Sequence, residues 1–293
     1  MKHFTISDLE RLSGVKAHTL RIWERRYALL QPHRTAGNAR LYSLTQLEKL
    51  LEYAVLNSHG YRISDIHKMD GNALTAALLS LQVDTALMQK ALAHLTVCMH
   101  AGRPDQIINL LNNLVKAFSL EVLVENILYP FLYNSYLFWK GNKLYEEHIA
   151  VTAIRQKLLY AIESLDTGEN SSPAILLFLA DTTQLDLGLL YSHFYFKKRG
   201  FKVLYLGNDI TLLNLKSALQ SQPFHYIFTY QRNGDEATMA KLLSLVTTCA
   251  PQSKLVMADY TVRPARPVCG NNIIQLPFRE ALQAVVNNVP GLA

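Results

Sequence analysis

The sequence predicts a multidomain chain of three parts: short helices with a basic hairpin, then a helical bundle, then an α/β domain built on a parallel sheet. Three observations predict it. Short helix-period segments punctuated by glycine fill the first 70 or so positions, and most of the chain's excess positive charge lies there. From 75 to 168, apolar residues recur at three- and four-residue spacing, the signature of packed helices. From 172 onward, short runs such as Ile175-Leu176-Leu177-Phe178-Leu179 and Tyr226-Ile227-Phe228-Thr229 alternate with helical stretches. Continuous apolar strands separated by helices read as a parallel sheet covered on both faces.

Composition bounds the function classes. Of 293 residues, 49% are hydrophobic and 18% charged, enough apolar material for true cores and against wholesale disorder. No apolar run reaches the ~18–20 residues that a membrane span requires, and the opening Met1-Lys2-His3-Phe4-Thr5 carries no secretory apolar region. Cys98, Cys249 and Cys269 lie far apart without a CxxC or Cys/His spacing, which argues against a disulfide framework or structural zinc and for the cytoplasm. The net charge is +6, and residues 1–40 hold eight Lys and Arg against three acids, a local +5. Such concentration is the electrostatic footprint of a nucleic-acid binder, because neutralising phosphates releases counterions.

Taken in order, Ser7-Asp8-Leu9-Glu10 has the pattern of a capping box and predicts a helix ended by Gly14. A second helix follows at 17–27. Two short helices about a glycine-containing turn outline a helix-turn-helix. The stretch from Gln31 to Tyr42 predicts a hairpin with its turn at Gly37-Asn38, and two more helices are expected at 44–58 and 62–69, the latter capped near Ser64. The second segment parses into helices at 84–100, 104–117, 120–138 and 145–165, whose short connections favour an antiparallel four-helix bundle. In the third, strands at 175–179, 203–206, 226–229, 255–257 and 273–276 interleave with helices at 186–199, 212–221, 234–249 and 278–288. The polar stretch 166–173 is the expected linker, giving parts at 1–74, 75–168 and 172–293.

The first part resembles the MerR family of DNA-binding domains, in Phe4-Thr5-Ile6-Ser7-Asp8-Leu9, Ser13-Gly14-Val15, Thr19 to Arg26, Pro32-x-Arg34 and Asn38-x-Arg40-x-Tyr42. A recognition helix lies in the major groove with its N-terminal residues towards base edges, which places Lys16, His18, Thr19 and Arg21 there, with Arg25 beside them. Arg34, Asn38, Arg40 and Tyr42 belong to a wing that grips flanking phosphate. Trp23 is open to two readings, a core aromatic or, as the family pattern implies, an aromatic near the DNA backbone. Glu24 reads as a helix-internal partner of a nearby arginine. The resemblance further implies a homodimer, or a higher oligomer, on a pseudo-palindromic double-stranded operator.

The remainder is similar to the sensory half of the cobalamin-dependent branch of that family, the CarH type, where a helical bundle caps a Rossmann-like (flavodoxin-like) domain. The bundle's signature, a Trp followed by Glu-His, finds Trp139 and Glu147-His148, nine residues from Trp to His. Cobalamin domains of this type carry Asp/Glu-x-His-x-x-Gly after the first strand, the His ligating cobalt. Here Gly188 is kept, but Leu185 stands at the His position and Thr183 at the acid position. Leucine has no lone pair for cobalt. Gly207 matches the loop after the second strand, whereas Tyr230, Gln231 and Arg232 are bulkier than the small residues that admit a nucleotide tail. We therefore expect no cobalt-ligating site in a vestigial pocket lined by Trp139, Glu147, His148, Leu185, Gly188 and Gly207, and a small-molecule or protein effector in place of cobalamin. The alternatives are a functional cobalamin-dependent repressor or a corrinoid methyltransferase-like subunit. An enzyme is not expected: there is no nucleophile elbow, P-loop or paired-carboxylate motif.

Overall fold

A computed structural model describes residues 3–35, 37–80, 84–131, 145–166, 172–179, 186–231, 236–259 and 272–289. The chain divides into two compact units, Met1–Ala153 and Ile154–Ala293.

The first unit opens with α1 (Ile6–Ser13) and α2 (Ala17–Tyr27). α1 starts earlier than the Ser7 pattern predicts. Thr5 is the N-cap, accepting from Asp8 N while the Asp8 carboxylate accepts from Thr5 N at 2.8 Å, a Thr-x-x-Asp box with the same reciprocal logic. Gly14 ends α1 in the left-handed region at φ 73°, where a Cβ is disfavoured. Glu10, no longer needed for that cap, instead accepts from Ala17 N at 3.1 Å and so holds the start of α2.

A two-stranded hairpin follows, β1 (His33–Arg34) antiparallel to β2 (Arg40–Leu41), pairing Arg34 with Arg40. Its turn closes through Asn38 N to Thr35 O at 2.8 Å, with Asn38 at φ 62°. Phe4 and Tyr42 then form an isolated antiparallel bridge, each N–H donating to the other's carbonyl.

α3 (Leu44–Ser58) is capped by a Ser43/Gln46 box. α4 is short (Ile63–Ile66) and starts at Arg62 with no side-chain cap, so Ser64 does not cap it. A helix that the sequence reading lacked, α5 (Gly71–Ser80), comes next. α6 (Asp84–His100), α7 (Pro104–Ala117) and α8 (Leu120–Leu123), the last running into a π-helical turn at Val124–Leu128, match the expected bundle positions. Beyond 131 the expected helix to 138 lies outside the described residues. α6 packs on α3, and Val97 joins Leu9, Leu20, Trp23, Tyr42 and Leu47 in one buried cluster. The helix-turn-helix and the start of the bundle thus share a core.

α9 (Tyr145–Glu163) crosses from the first unit into the second. The second unit alternates β3 (Ala174–Phe178), α10 (Leu187–Lys198), β4 (Lys202–Gly207), α11 (Leu212–Ser221), β5 (Tyr226–Gln231), α12 (Glu236–Cys249), β6 (Lys254–Asp259), β7 (Ile273–Pro277) and α13 (Phe278–Asn287). All strand pairs are parallel and the order is β4-β3-β5-β6-β7. This is the flavodoxin-like doubly wound order, whose switch point lies between β3 and β5. β3 is buried along its whole length, as a strand covered on both faces must be. One face packs leucines of α11 and α12. Against the other lies a layer of aromatic rings, including Phe196 with Phe228 at 5.4 Å and Phe228 with Phe278 at 6.4 Å.

Candidate functional site

The recognition-helix candidate has two faces set by its 3.6-residue period. Leu20 and Trp23 point into the core, while His18, Arg21, Ile22, Arg25 and Arg26 are exposed. His18, Arg21, Ile22 and Arg25 follow i, i+3, i+4, i+7 spacing and so form one continuous stripe. Lys16, at the N-cap, is 72% exposed and pairs with Glu10 at 3.3 Å. The Ala17 N–H, followed by the Lys16 charge, holds the Glu10 carboxyl below its ordinary range. Thr19 is half-buried beside the stripe. The sequence reading left out Arg26, which is exposed in the last turn of α2.

In the hairpin, Arg34 and Asn38 are exposed and joined, the guanidinium donating to the Asn38 side-chain oxygen. Arg40, opposite Arg34, is half-buried and bonds Glu24 through Nε at 3.1 Å. Tyr42 is wholly buried and its hydroxyl donates to the other Glu24 oxygen at 3.0 Å. Burial, then the Glu24 carboxylate, raises the Tyr42 phenol far above its usual range, so it stays a donor. Glu24 therefore partners the hairpin strand and the residue just after it across 16 and 18 residues, not an arginine of its own helix as the sequence suggested. Trp23 is 6% exposed, within the core. From there Trp23 and Tyr42 shape the domain rather than present a surface.

In the second unit, Gly188 lies half-buried in the first turn of α10. Gly207 ends β4 at φ 87°, and its carbonyl accepts from Leu179 N at 2.8 Å. His148 is exposed on α9. Trp139, Thr183, Leu185 and Arg232 lie outside the described residues, as do the side chains of Glu147 and Gln231.

A polar group missed from sequence gathers near the start of α10. Asp186 is 8% exposed and takes Arg155, from α9, at 2.6 Å. Burial raises the Asp186 carboxyl against the opposing pull of Arg155. Two turns on, the ring of His193 stacks on Tyr205 of β4, centroids 5.2 Å apart and planes 17° from parallel. Burial, helped by Lys197, lowers the His193 pKa to about 4, and burial pushes Tyr205 up to about 12. Lys197 itself donates to Ile162 O at 2.7 Å, fastening α10 to α9. No spacing rule signals these contacts, because they join three elements.

Two of these observations bear on whether a corrinoid with a cobalt-ligating histidine fits. His193 is engaged by Tyr205 between helix and sheet, not presented at the strand ends. Tyr230, at the carboxyl end of β5, is 7% exposed and packs edge-on against Phe278 at 6.2 Å, occupying space with a ring. Both rings are thus engaged in packing. Among the described residues no cluster of three metal-ligating side chains occurs, and no helix is long and apolar enough to cross a membrane.

Residues 4–71 match the model of the MerR HTH family regulatory proteins. Those residues are a MerR-type helix-turn-helix domain. The likeness continues beyond that domain. The HTH-type transcriptional repressor CarA of Myxococcus xanthus is 25% identical over 255 residues, 84% of this chain and 83% of CarA. The repressor CarH of the same organism is 22% identical over 74% of each chain. The chain as a whole is similar to both repressors along most of its length. Among solved structures, the monomethylamine corrinoid protein of Methanosarcina barkeri aligns with a TM-score of 0.48 at 12% identity, covering 69% of this chain and 99% of that one.

Proposed function

We propose that this MerR-type regulator binds a pseudo-palindromic double-stranded operator as a homodimer in the cytoplasm, and that its Rossmann-like half senses an effector other than histidine-ligated cobalamin. The working parts are a DNA-binding domain at 1–74, a helical bundle at 75–168 and the sensory α/β domain at 172–293. α2 enters the major groove with Lys16, His18, Thr19, Arg21 and Arg25 towards the bases, while Arg34, Asn38 and Arg40 meet flanking phosphate. The observation that carries this assignment is the exposed stripe of His18, Arg21, Ile22 and Arg25 on α2, with Arg34 exposed on the hairpin that Glu24 of the same helix holds through Arg40.

Selection of duplexes from a random-sequence pool by the full-length protein tests it. Enrichment of an inverted repeat, bound less tightly by Arg21→Ala, is expected. Recovery of no preferred sequence would overturn sequence-specific binding.

The sensory half is read as a regulatory domain, not an enzyme, because it follows a DNA-binding domain and its nearest chemistry, the Arg155–Asp186 pair, is consumed by packing. Its effector is a small molecule at the switch-point crevice or a protein partner. The second reading, a cobalamin-dependent repressor, is favoured by the flavodoxin-like strand order and by Gly188 at the start of α10. Absorption titration with adenosyl- and methylcobalamin separates the two. An unshifted spectrum and no co-elution are expected, and a bound, spectrally shifted corrinoid would establish the second reading instead.

A further inference from the structure

The carboxylate of Glu24 lies on the DNA-binding domain at a place where a bare negative charge would repel phosphate, yet neither of its oxygens is bare. Oε1 accepts from Arg40 Nε at 3.1 Å and Oε2 from the Tyr42 hydroxyl at 3.0 Å, and the side chain is only 17% exposed. The two partners differ in mobility. Tyr42 is wholly buried and tied by two backbone hydrogen bonds to Phe4, whose ring meets His100 of α6 edge-on at 5.1 Å. Arg40 stays 34% exposed on the wing, directly across from Arg34. Glu24 thus links the recognition helix, a rigid point of the core and a partly exposed cation.

A guanidinium is a planar fork of five donors. When Nε is held inward, the plane and direction of the terminal nitrogens are fixed with little remaining rotamer freedom. Arg40 alone on a two-residue strand has no such constraint.

Resting on the major-groove reading above, we propose that Glu24 is a positioning residue for DNA binding: through Arg40 Nε and the Tyr42 hydroxyl it fixes the wing against α2 and aims the outer nitrogens of Arg40 at a backbone phosphate. Glu24 itself touches no base. Its negative charge is tolerated near DNA because both oxygens are already occupied, and the phenol of Tyr42 remains a donor throughout the working pH range.

The test uses full-length protein and a duplex that the unmodified protein selects from a random-sequence pool, with affinity measured across a salt series. Glu24→Gln keeps the shape but cannot accept charge-assisted bonds on both sides. It is expected to weaken binding about tenfold and to shallow the salt slope by about 0.9, the signature of one lost phosphate contact. Adding Arg40→Ala to Glu24→Gln should weaken binding no further than Arg40→Ala alone, because both remove the same contact. Arg40→Lys retains the charge but not the fork, and is expected to lose the same slope; it tests the idea even where Glu24→Gln fails to fold.

A weakened affinity with an unchanged salt slope would make Glu24 a scaffold residue only and overturn the proposal. Tighter binding with a steeper slope would overturn it too, since Glu24 would then be masking Arg40. Arg21→Ala separates the levels. If it weakens binding while Glu24→Gln and Arg40→Lys do not, only the positioning role fails. If Arg21→Ala is also silent, the groove docking itself is wrong.

Discussion

Replacing His193 by phenylalanine tests whether that ring is a packing element or a ligand held in reserve. The histidine stacks on Tyr205 and is held at about 4 against an ordinary 6.5, chiefly by burial and then by Lys197. A base whose folded pKa is lowered binds its proton first in the unfolded chain. Its contribution is therefore complete above pH 6.5, shrinks as pH falls, and is gone below about 4. A fully buried ring would contribute about 3 kcal/mol over that window. Because His193 is only half-buried, solvent screening reduces this to about 1–2 kcal/mol. Phenylalanine keeps the aromatic contact and cannot titrate, so the variant should equal the wild type near pH 7 and become the more stable protein towards pH 4. Amide-exchange protection of β3 and β4, compared between the two proteins at each pH, reads this out locally. The raised Asp186 carboxyl acts with the opposite sign, but it is common to both proteins and cancels in the difference. Parallel stability profiles from pH 7 to 4 would refute the reasoning, because a ring held neutral by burial must make the two profiles diverge.

Arg21→Ala should weaken operator binding at matched salt and lower the salt slope by about 0.9 if its partner is a phosphate, or leave the slope alone and relax sequence preference if it is a base; unchanged binding by gel shift would reject both. Trp23→Ala, at a site 6% exposed, should cost about 3–5 kcal/mol of stability, and a variant that lost DNA binding with an unaltered melting temperature would show that Trp23 acts at the surface. Asp186→Asn removes the carboxylate that Arg155 holds at 2.6 Å and should destabilise the second unit by about 1–2 kcal/mol, discounted for the partial exposure of Arg155. The double change Arg155→Met with Asp186→Leu should recover most of that loss, and thermal denaturation of the three proteins decides it.

Element type and order were legible in the sequence because they depend on neighbours within a few positions. The run Ile175 to Leu179 announced a strand buried on both faces, and β3 is one. Gly14 announced the end of α1, and Asn38 the turn of the hairpin, because each sits where positive φ is required. α5 was missed because Gly71 to Ser80 has no clear apolar face to set a period. The start of α1 was misread between two overlapping boxes, Thr5-x-x-Asp8 and Ser7-x-x-Glu10. Only the position of Glu10 over the start of α2, seven residues ahead at Ala17, removes it from the second box.

What the sequence by itself determined was therefore the parts and their chemistry: a basic helix-turn-helix with a hairpin, and a parallel α/β domain. The tertiary structure alone decided which of the named residues face outward. Trp23 and Tyr42 went to the core and Arg21 and Arg25 to the surface, because burial is settled by what packs opposite. It also decided the partners of charge. Glu24 reaches Arg40 and Tyr42, and Arg155 reaches Asp186 31 residues away. Helical periodicity links positions three and four apart; a hydrogen bond between separate elements has no period, so only the folded chain reveals it.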